Sequence, residues 1–261
     1  MRTESSVFEA LLARDRLWVG FGLGATVLLC WAWLVPAALD MQGDMRGLAA
    51  WMMAAHWDLR YFLLVFGMWA VMMAGMMLPS AAPTVLLYAR IVRSDTRLPS
   101  SLRRVYFFAC GYVLAWCGFS LLATLLQWRL AAAAALTPMM RLHSTMLGAA
   151  LLLVAGIYQW TPLKHRCLER CRAPAEFIAT NWRPGWRGAL RLGWRHGLYC
   201  LGCCWALMLL LFVGGVMNLA WIAALTLAVL LEKLAPFGVR GGRLGGALLI
   251  LAGCALAWTS L

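Results

Sequence analysis

Acidic residues are scarce in this chain: ten Asp and Glu among 261 residues, with charged residues of both signs at only 13%. No apolar stretch holds a pair of carboxylates, which speaks against a pump that relays protons between paired acids. A Ser–His–Asp arrangement, a P-loop and a glycine-rich nucleotide motif are all missing, so triad hydrolysis and ATP-driven transport find no support. Nor is any polar interval long enough to fold as a soluble domain, the longest running from about Pro162 to His196.

What the chain has instead is hydrophobicity, at 64% apolar residues and a mean hydropathy of +0.78, well outside the range of soluble domains. Continuous apolar runs occur at about Leu17–Leu39, Tyr61–Leu87, Val105–Gln127 and Ser144–Thr161, then at Gly197–Val216, Leu219–Leu234 and Leu244–Leu261. At 1.5 Å per residue these predict an all-α, polytopic transmembrane bundle of about seven spans, one domain from residue 1 to 261. Barrel strands would be shorter and would alternate in polarity. The first run is too long for a signal-peptide core and lacks a small-residue cleavage site, so it is expected to stay.

The net charge of +13 is not spread evenly. With seven spans, the N-terminus and the second, fourth and sixth loops carry 19 of the 23 basic residues, and Arg46, Arg60, Arg129 and Arg141 alone fall on the other side. This asymmetry predicts a cytoplasmic N-terminus, an external C-terminus and a multi-pass place in a bacterial inner membrane. Topology and attraction to anionic lipid headgroups account for the charge, and nucleic acid is not an expected partner. Within the basic cytoplasmic loop at about 162–196, Ile178, Trp182, Trp186, Leu190 and Trp194 recur at steps of four beside Arg183, Arg187, Arg191 and Arg195. That is the pattern of an interfacial amphipathic helix, interrupted at Pro184 and Gly185. Gly111 and Gly118, with Gly67, Ala70 and Ala74, offer small faces for close helix contact.

Sulfur carries the chemistry. In "HGLYCLGCCWALM", His196, Cys200, Cys204 and Met208 fall on one helical stripe with Cys203 beside it. In "GMWAVMMAGMMLPSAAP", five methionines, among them Met72, Met73, Met76 and Met77, occupy ten positions. Thiolate, imidazole and thioether donors suit Cu(I) first and zinc second. Counting residues from the middle of each span puts the Met and Cys clusters at one depth, so they can meet if spans two and five are neighbours. A third group, Cys167 and Cys171 with His165, is expected to serve as a cytoplasmic docking pair. Met41, Met45, Met52, Met53, Met139, Met140, Met146 and Met217, with His56 and His143, gather toward the outer side. Met outside and Cys inside is the order that a path for a soft cation needs. Cys30, Cys110, Cys117 and Cys254 stand alone and are expected to pack. Glu232 beside Lys233 reads as a structural, snorkelling pair, with part of a gate as the alternative. Pro79 should free a carbonyl four residues back, for use as an oxygen ligand or a gate.

The elements "MWAVMMAGMMLPSAAP", "YQWTPLKHRCLERCR" and "GLYCLGCCWALMLLLFVGGVMN", with Glu232 and Lys233, resemble an uncharacterised bacterial family of predicted metal-binding integral membrane proteins. The resemblance runs from about Tyr61 to Pro236. It implies signature roles for Met72, Met73, Met76, Met77, Pro79, Pro83, Lys164, Cys167, Cys171, Cys200, Cys203, Cys204, Met208, Met217, Asn218 and Glu232. The expectation is therefore a Cu(I)-binding inner-membrane protein that transports the ion or delivers it to a metalloprotein or metallochaperone partner. No catalytic residue is assigned. Two other readings compete: a membrane thiol–disulfide oxidoreductase using Cys200 and Cys203 as its C-x-x-C pair, and a non-catalytic assembly or scaffolding subunit that uses the Met-rich helix as a contact surface.

Overall fold

The computed structural model describes residues 2–42, 57–94, 101–137 and 140–259. Helix is the one regular structure among these residues, joined by short turns and one isolated bridge between Leu136 and Leu142. The helices are α1 (Arg2–Gln42), α2 (Leu59–Ser94), α3 (Ser101–Ala132), α4 (Thr145–Tyr158) and α5 (Pro162–Arg172), then α6 (Pro174–Asn181), α7 (Gly185–Leu209), α8 (Leu211–Gly214), α9 (Leu219–Leu234) and α10 (Gly238–Trp258).

All seven apolar runs are helical over most of their described residues, but they differ in reach. Among the described residues five helices are long and apolar enough to cross a membrane: Val19–Met41, Leu59–Arg93, Leu102–Ala132, Gly185–Gly214 and Gly238–Trp258. The count rises to six if α4 and α5, bent by 63° at their junction, act as one span. The expected seven is not reached on length, because 14 residues in α4 and 16 in α9 give about 21 and 24 Å against a core of about 30 Å.

Local signals set the breaks. Thr161 caps α5 by accepting from the Lys164 amide, and Pro162 sits in the first turn, where its missing N–H costs nothing. Ser144 and Asn218 cap α4 and α9 in the same way. The interval 162–196 is helical rather than a loop. It comprises α5, α6 and the first turns of α7, which begins at Gly185 with φ +80° just after Pro184. Arg183, Arg187, Arg191 and Arg195 are all exposed, while Ile178 is buried and the Trp182 ring lies 5.8 Å from that of Tyr88.

The tightest crossing joins α3 and α7. A Cβ at Gly193 would strike the Phe108 carbonyl, and one at Gly111 would strike the Leu190 carbonyl, so both positions let backbones touch. Gly118 and Gly67, expected to do the same, face nothing within 4 Å. α2 packs on α1 and α3, α5 packs on α7, and α9 touches α2, α5 and α10. Through both prolines α2 stays helical, and the Gly75 carbonyl that Pro79 leaves unpaired accepts from the Trp31 indole N–H at 3.3 Å. That carbonyl is therefore taken, and the expected oxygen ligand is not available there.

Candidate metal centre

The helical period of α7 turns Cys200, Cys203, Cys204 and Met208 inward, none more than 1% exposed. Across the bundle Met72, Met73, Met76 and Met77 of α2 are fully buried. The two helices are linked through side chains from α3 and α9. The Tyr112 hydroxyl lies 3.0 Å from the Cys200 Sγ and 3.0 Å from the Met77 carbonyl, so its single proton serves one or the other. Lys233 Nζ donates to the Cys200 Sγ at 2.8 Å and to the Ser80 Oγ at 3.1 Å. Ser80 in turn donates to the Met77 carbonyl at 2.8 Å.

The thiols themselves form a run. Cys203 and Cys204 donate to the Cys200 carbonyl at 3.0 and 2.9 Å. The three thiols thus lie within about one turn of α7, on which α5 packs. Cys167 packs on Gly202, where an added Cβ would stand 2.7 Å from its Sγ. The pair expected to be a separate docking point thus adjoins the thiols of α7. Tyr158 closes the same corner by donating to the Gly202 carbonyl at 2.5 Å, with its ring edge-on to Trp205 at 5.1 Å.

His196 is set apart from this sulfur. Its ring lies among Phe108, Tyr112 and Phe177 at 6.0, 5.7 and 5.3 Å, 2% exposed, and its Nδ1 finds no partner among the described residues. Among the described residues no group of three or more His, Cys, Asp and Glu side chains is placed to hold a metal ion. What the chain offers a soft cation is therefore thiols one turn apart in α7, with the buried methionine segment of α2 joined to them through Tyr112, Ser80 and Lys233. These donor types fit Cu(I) better than an ion that prefers oxygen.

Glu232 and Lys233 do not pair with each other. Lys164 Nζ donates to Glu232 at 2.6 Å and also contacts the Gln159 side-chain oxygen, with both side chains of the ion pair under 10% exposed. Arg172 donates to the Glu232 and Ala235 carbonyls at 2.6 and 2.8 Å, satisfying carbonyls at the end of α9. Sequence reasoning missed Tyr112, Ser80 and Gln159 as neighbours of the centre, and it misassigned Lys233. One signal was present: Lys164 and Lys233 are the only lysines of a chain whose other basic side chains are arginine.

Of the outer sulfur set, Met41 and Met217 are buried, Met140 accepts from the Gln127 amide at 3.2 Å, and Met146 and His143 are exposed. Met45, Met52, Met53, His56 and Met139 lie outside the described residues. Cys30, Cys110, Cys117 and Cys254 are free, and neither Cys110 nor Cys254 is buried.

Fold and site define a class: an all-helical protein with several long apolar helices, compatible with membrane insertion, built around buried thiols and thioethers. Residues 66–256 match the model of the PpoB2 family, described as copper chaperone, and the chain belongs to that family. No curated protein and no solved structure matches it.

Proposed function

We propose that the protein holds Cu(I) inside the membrane, between the thiols of α7 and the methionines of α2, and delivers it to a metalloprotein partner. The observation that carries this is the Cys200 sulfur, buried between Tyr112 and Lys233, with the Cys203 and Cys204 thiols donating to its backbone carbonyl. Membership of a copper-chaperone family supports the choice of ion. Cys200, Cys203 and Cys204 supply thiols, and Met72, Met73, Met76, Met77 and Met208 supply thioethers. Cys167 and Cys171 continue the thiols toward α5, and His196 with its free Nδ1 is a reserve donor one turn before Cys200.

A supply route favours the same reading. Met68, Met72 and Met76 lie on one buried row of α2 at four-residue steps of about 6 Å. At its far end Trp69 donates to Gln127, whose amide donates to the Met140 sulfur. In the bacterial inner membrane, with α4 and α9 completing seven crossings, this row would run from the outer face toward the cytoplasmic thiols. The exposed arginine row at the start of α7 would meet anionic lipid headgroups.

Metal analysis of reduced, purified protein tests the reading, with stoichiometric copper expected. Cys204→Ser and Met77→Leu should each weaken Cu(I) binding in competition with a chromogenic chelator. The double variant should lose clearly less than the two single losses combined, because one ion couples both helices. Copper-free protein, or additive losses, would refute a shared site. The C-x-x-C oxidoreductase is disfavoured, since the Cys200 sulfur engages Tyr112 and Lys233 while the Cys203 thiol is turned to the Cys200 carbonyl.

A further inference from the structure

The last helix, "GVRGGRLGGALLILAGCALAW", carries two glycine rows at four-residue steps, and the two rows meet different surroundings. Gly246 and Gly253 seat α10 on α4: a Cβ at Gly246 would stand 3.0 Å from the Gly156 carbonyl, and one at Gly253 would stand 3.1 Å from the Ala149 carbonyl. The other row, Gly241, Gly245 and Ala252, lines a groove of about 490 Å³ shared with α4, α7 and α9. A Cβ at Gly245 would meet nothing within 4 Å. Leu231, Phe237 and Leu248 line the same groove and are themselves exposed, so it opens on the outside of the bundle, where the long apolar helices would meet lipid.

Positive charge gathers at one end of this groove. Gly238, which lines it, lies against Arg172, whose Nη1 would stand 2.7 Å from an added Cβ. That Nη1 donates to the Glu232 and Ala235 carbonyls, and the other guanidinium nitrogens make no hydrogen bond among the described residues. Arg240 and Arg243 follow in the first two turns of α10, exposed and with no ion-pair partner among the described residues. The carboxylate that lines the groove, Glu232, is taken by Lys164. Phe237 gives α10 no side-chain cap, so these two arginines stand where the helix dipole is already positive, an arrangement that a nearby anion relieves. An apolar slot of this size, ending in basic side chains between helices, suits an anionic lipid. A helix of a second copy, about 10–12 Å across, would have to part α9 from α10 to enter it. We propose that the groove holds one acyl chain of an anionic phospholipid whose phosphate rests on Arg172, Arg240 and Arg243. The lipid braces the C-terminal end of α9, from which Lys233 reaches Cys200. It requires membrane insertion but not copper.

Native mass spectrometry of the full, metal-free chain in a nonionic detergent tests this, with phosphatidylglycerol and phosphatidylcholine of identical acyl chains supplied at equal concentration. Expected is one phosphatidylglycerol per monomer, retained at collision energies that strip phosphatidylcholine, and a melting temperature that rises with phosphatidylglycerol alone. Arg240→Gln and Arg243→Gln should each lower its affinity about fivefold, the weight of one basic residue near an anionic headgroup. Gly245→Leu should abolish its retention with helix content and monomer mass unchanged, since the new side chain enters the groove. If that variant does not fold, Ala252→Leu on the same row takes its place, with the same loss expected. Equal retention of the two lipids, unchanged affinity in both glutamine variants, or full retention in the leucine variant would overturn the proposal. So would a dimer that the leucine variant dissociates, which would give the groove to a second copy. Every readout uses metal-free protein, so failure here leaves the copper site to its own test.

Discussion

Lys164→Met should be far more damaging than a typical loss of charge, and the reason can be worked from the ion pair. Lys164 and Glu232 meet at 2.6 Å with side chains 3% and 9% exposed. Removing the lysine strands a buried carboxylate, a change that costs about 3–5 kcal/mol, whereas breaking a solvated pair costs about 0–1 kcal/mol. An escape route caps the electrostatic part. The stranded glutamate can take up a proton, and for an ordinary carboxyl with a value near 4.3 this costs about 1.4 kcal/mol per pH unit, or about 3.7 kcal/mol at pH 7. The variant should therefore lose about 3 kcal/mol at pH 7, and the loss should shrink as pH falls toward the ordinary carboxyl range. Lys164→Met combined with Glu232→Leu should recover most of the loss, because no unpaired charge is left buried. Reversible unfolding in mixed micelles, read by circular dichroism at several pH values, gives all three quantities. A loss below about 1 kcal/mol that does not change with pH would show that water screens the pair, and the clamp on α5 would then carry little energy.

Tyr112→Phe removes a hydroxyl placed between the Met77 carbonyl and the Cys200 sulfur, and should cost about 1 kcal/mol of stability with weaker Cu(I) retention in chelator competition. Unchanged retention would mean that Tyr112 only packs. For topology, a reporter fused after Leu261 should behave as extracytoplasmic and one inserted near Arg97 as cytoplasmic. Five or seven crossings give that result, whereas six would put both termini on one side.

The sulfur stripes were legible because a helix repeats itself within one turn: His196, Cys200, Cys204 and Met208, and the α2 methionines, reveal their shared faces from spacing alone. Their burial followed from the same pattern. Partners from other helices carry no such local mark. Tyr112 is 88 positions from Cys200, and Ser80 is 153 from Lys233. The adjacency of Glu232 and Lys233 was misleading for a physical reason, since consecutive helical positions point about 100° apart and so reach different neighbours. The opened carbonyl at Gly75 was correctly implied by Pro79, but the donor that satisfies it, Trp31, comes from α1. The count by length stops short of seven where the helices are short, in α4 and α9.

The two lysines show how charge and sulfur are arranged together. Glu232 is neutralised by Lys164, so the adjacent Lys233 has no carboxylate of its own, and its hydrogen bonds go to Ser80 and to Cys200. A buried ammonium is tolerated only where acceptors or negative charge compensate it, and here one of the accepting groups is the Cys200 sulfur, in a run of thiols. A cation against a polarisable sulfur is also what Cu(I) and its ligand would make. The pairing of Lys164 with Glu232 therefore does more than clamp α5: it leaves Lys233 directed at the thiols. Breaking that pair should disturb the metal centre as well as the fold, and Lys164→Met should weaken Cu(I) binding even at a pH where the protein remains fully folded.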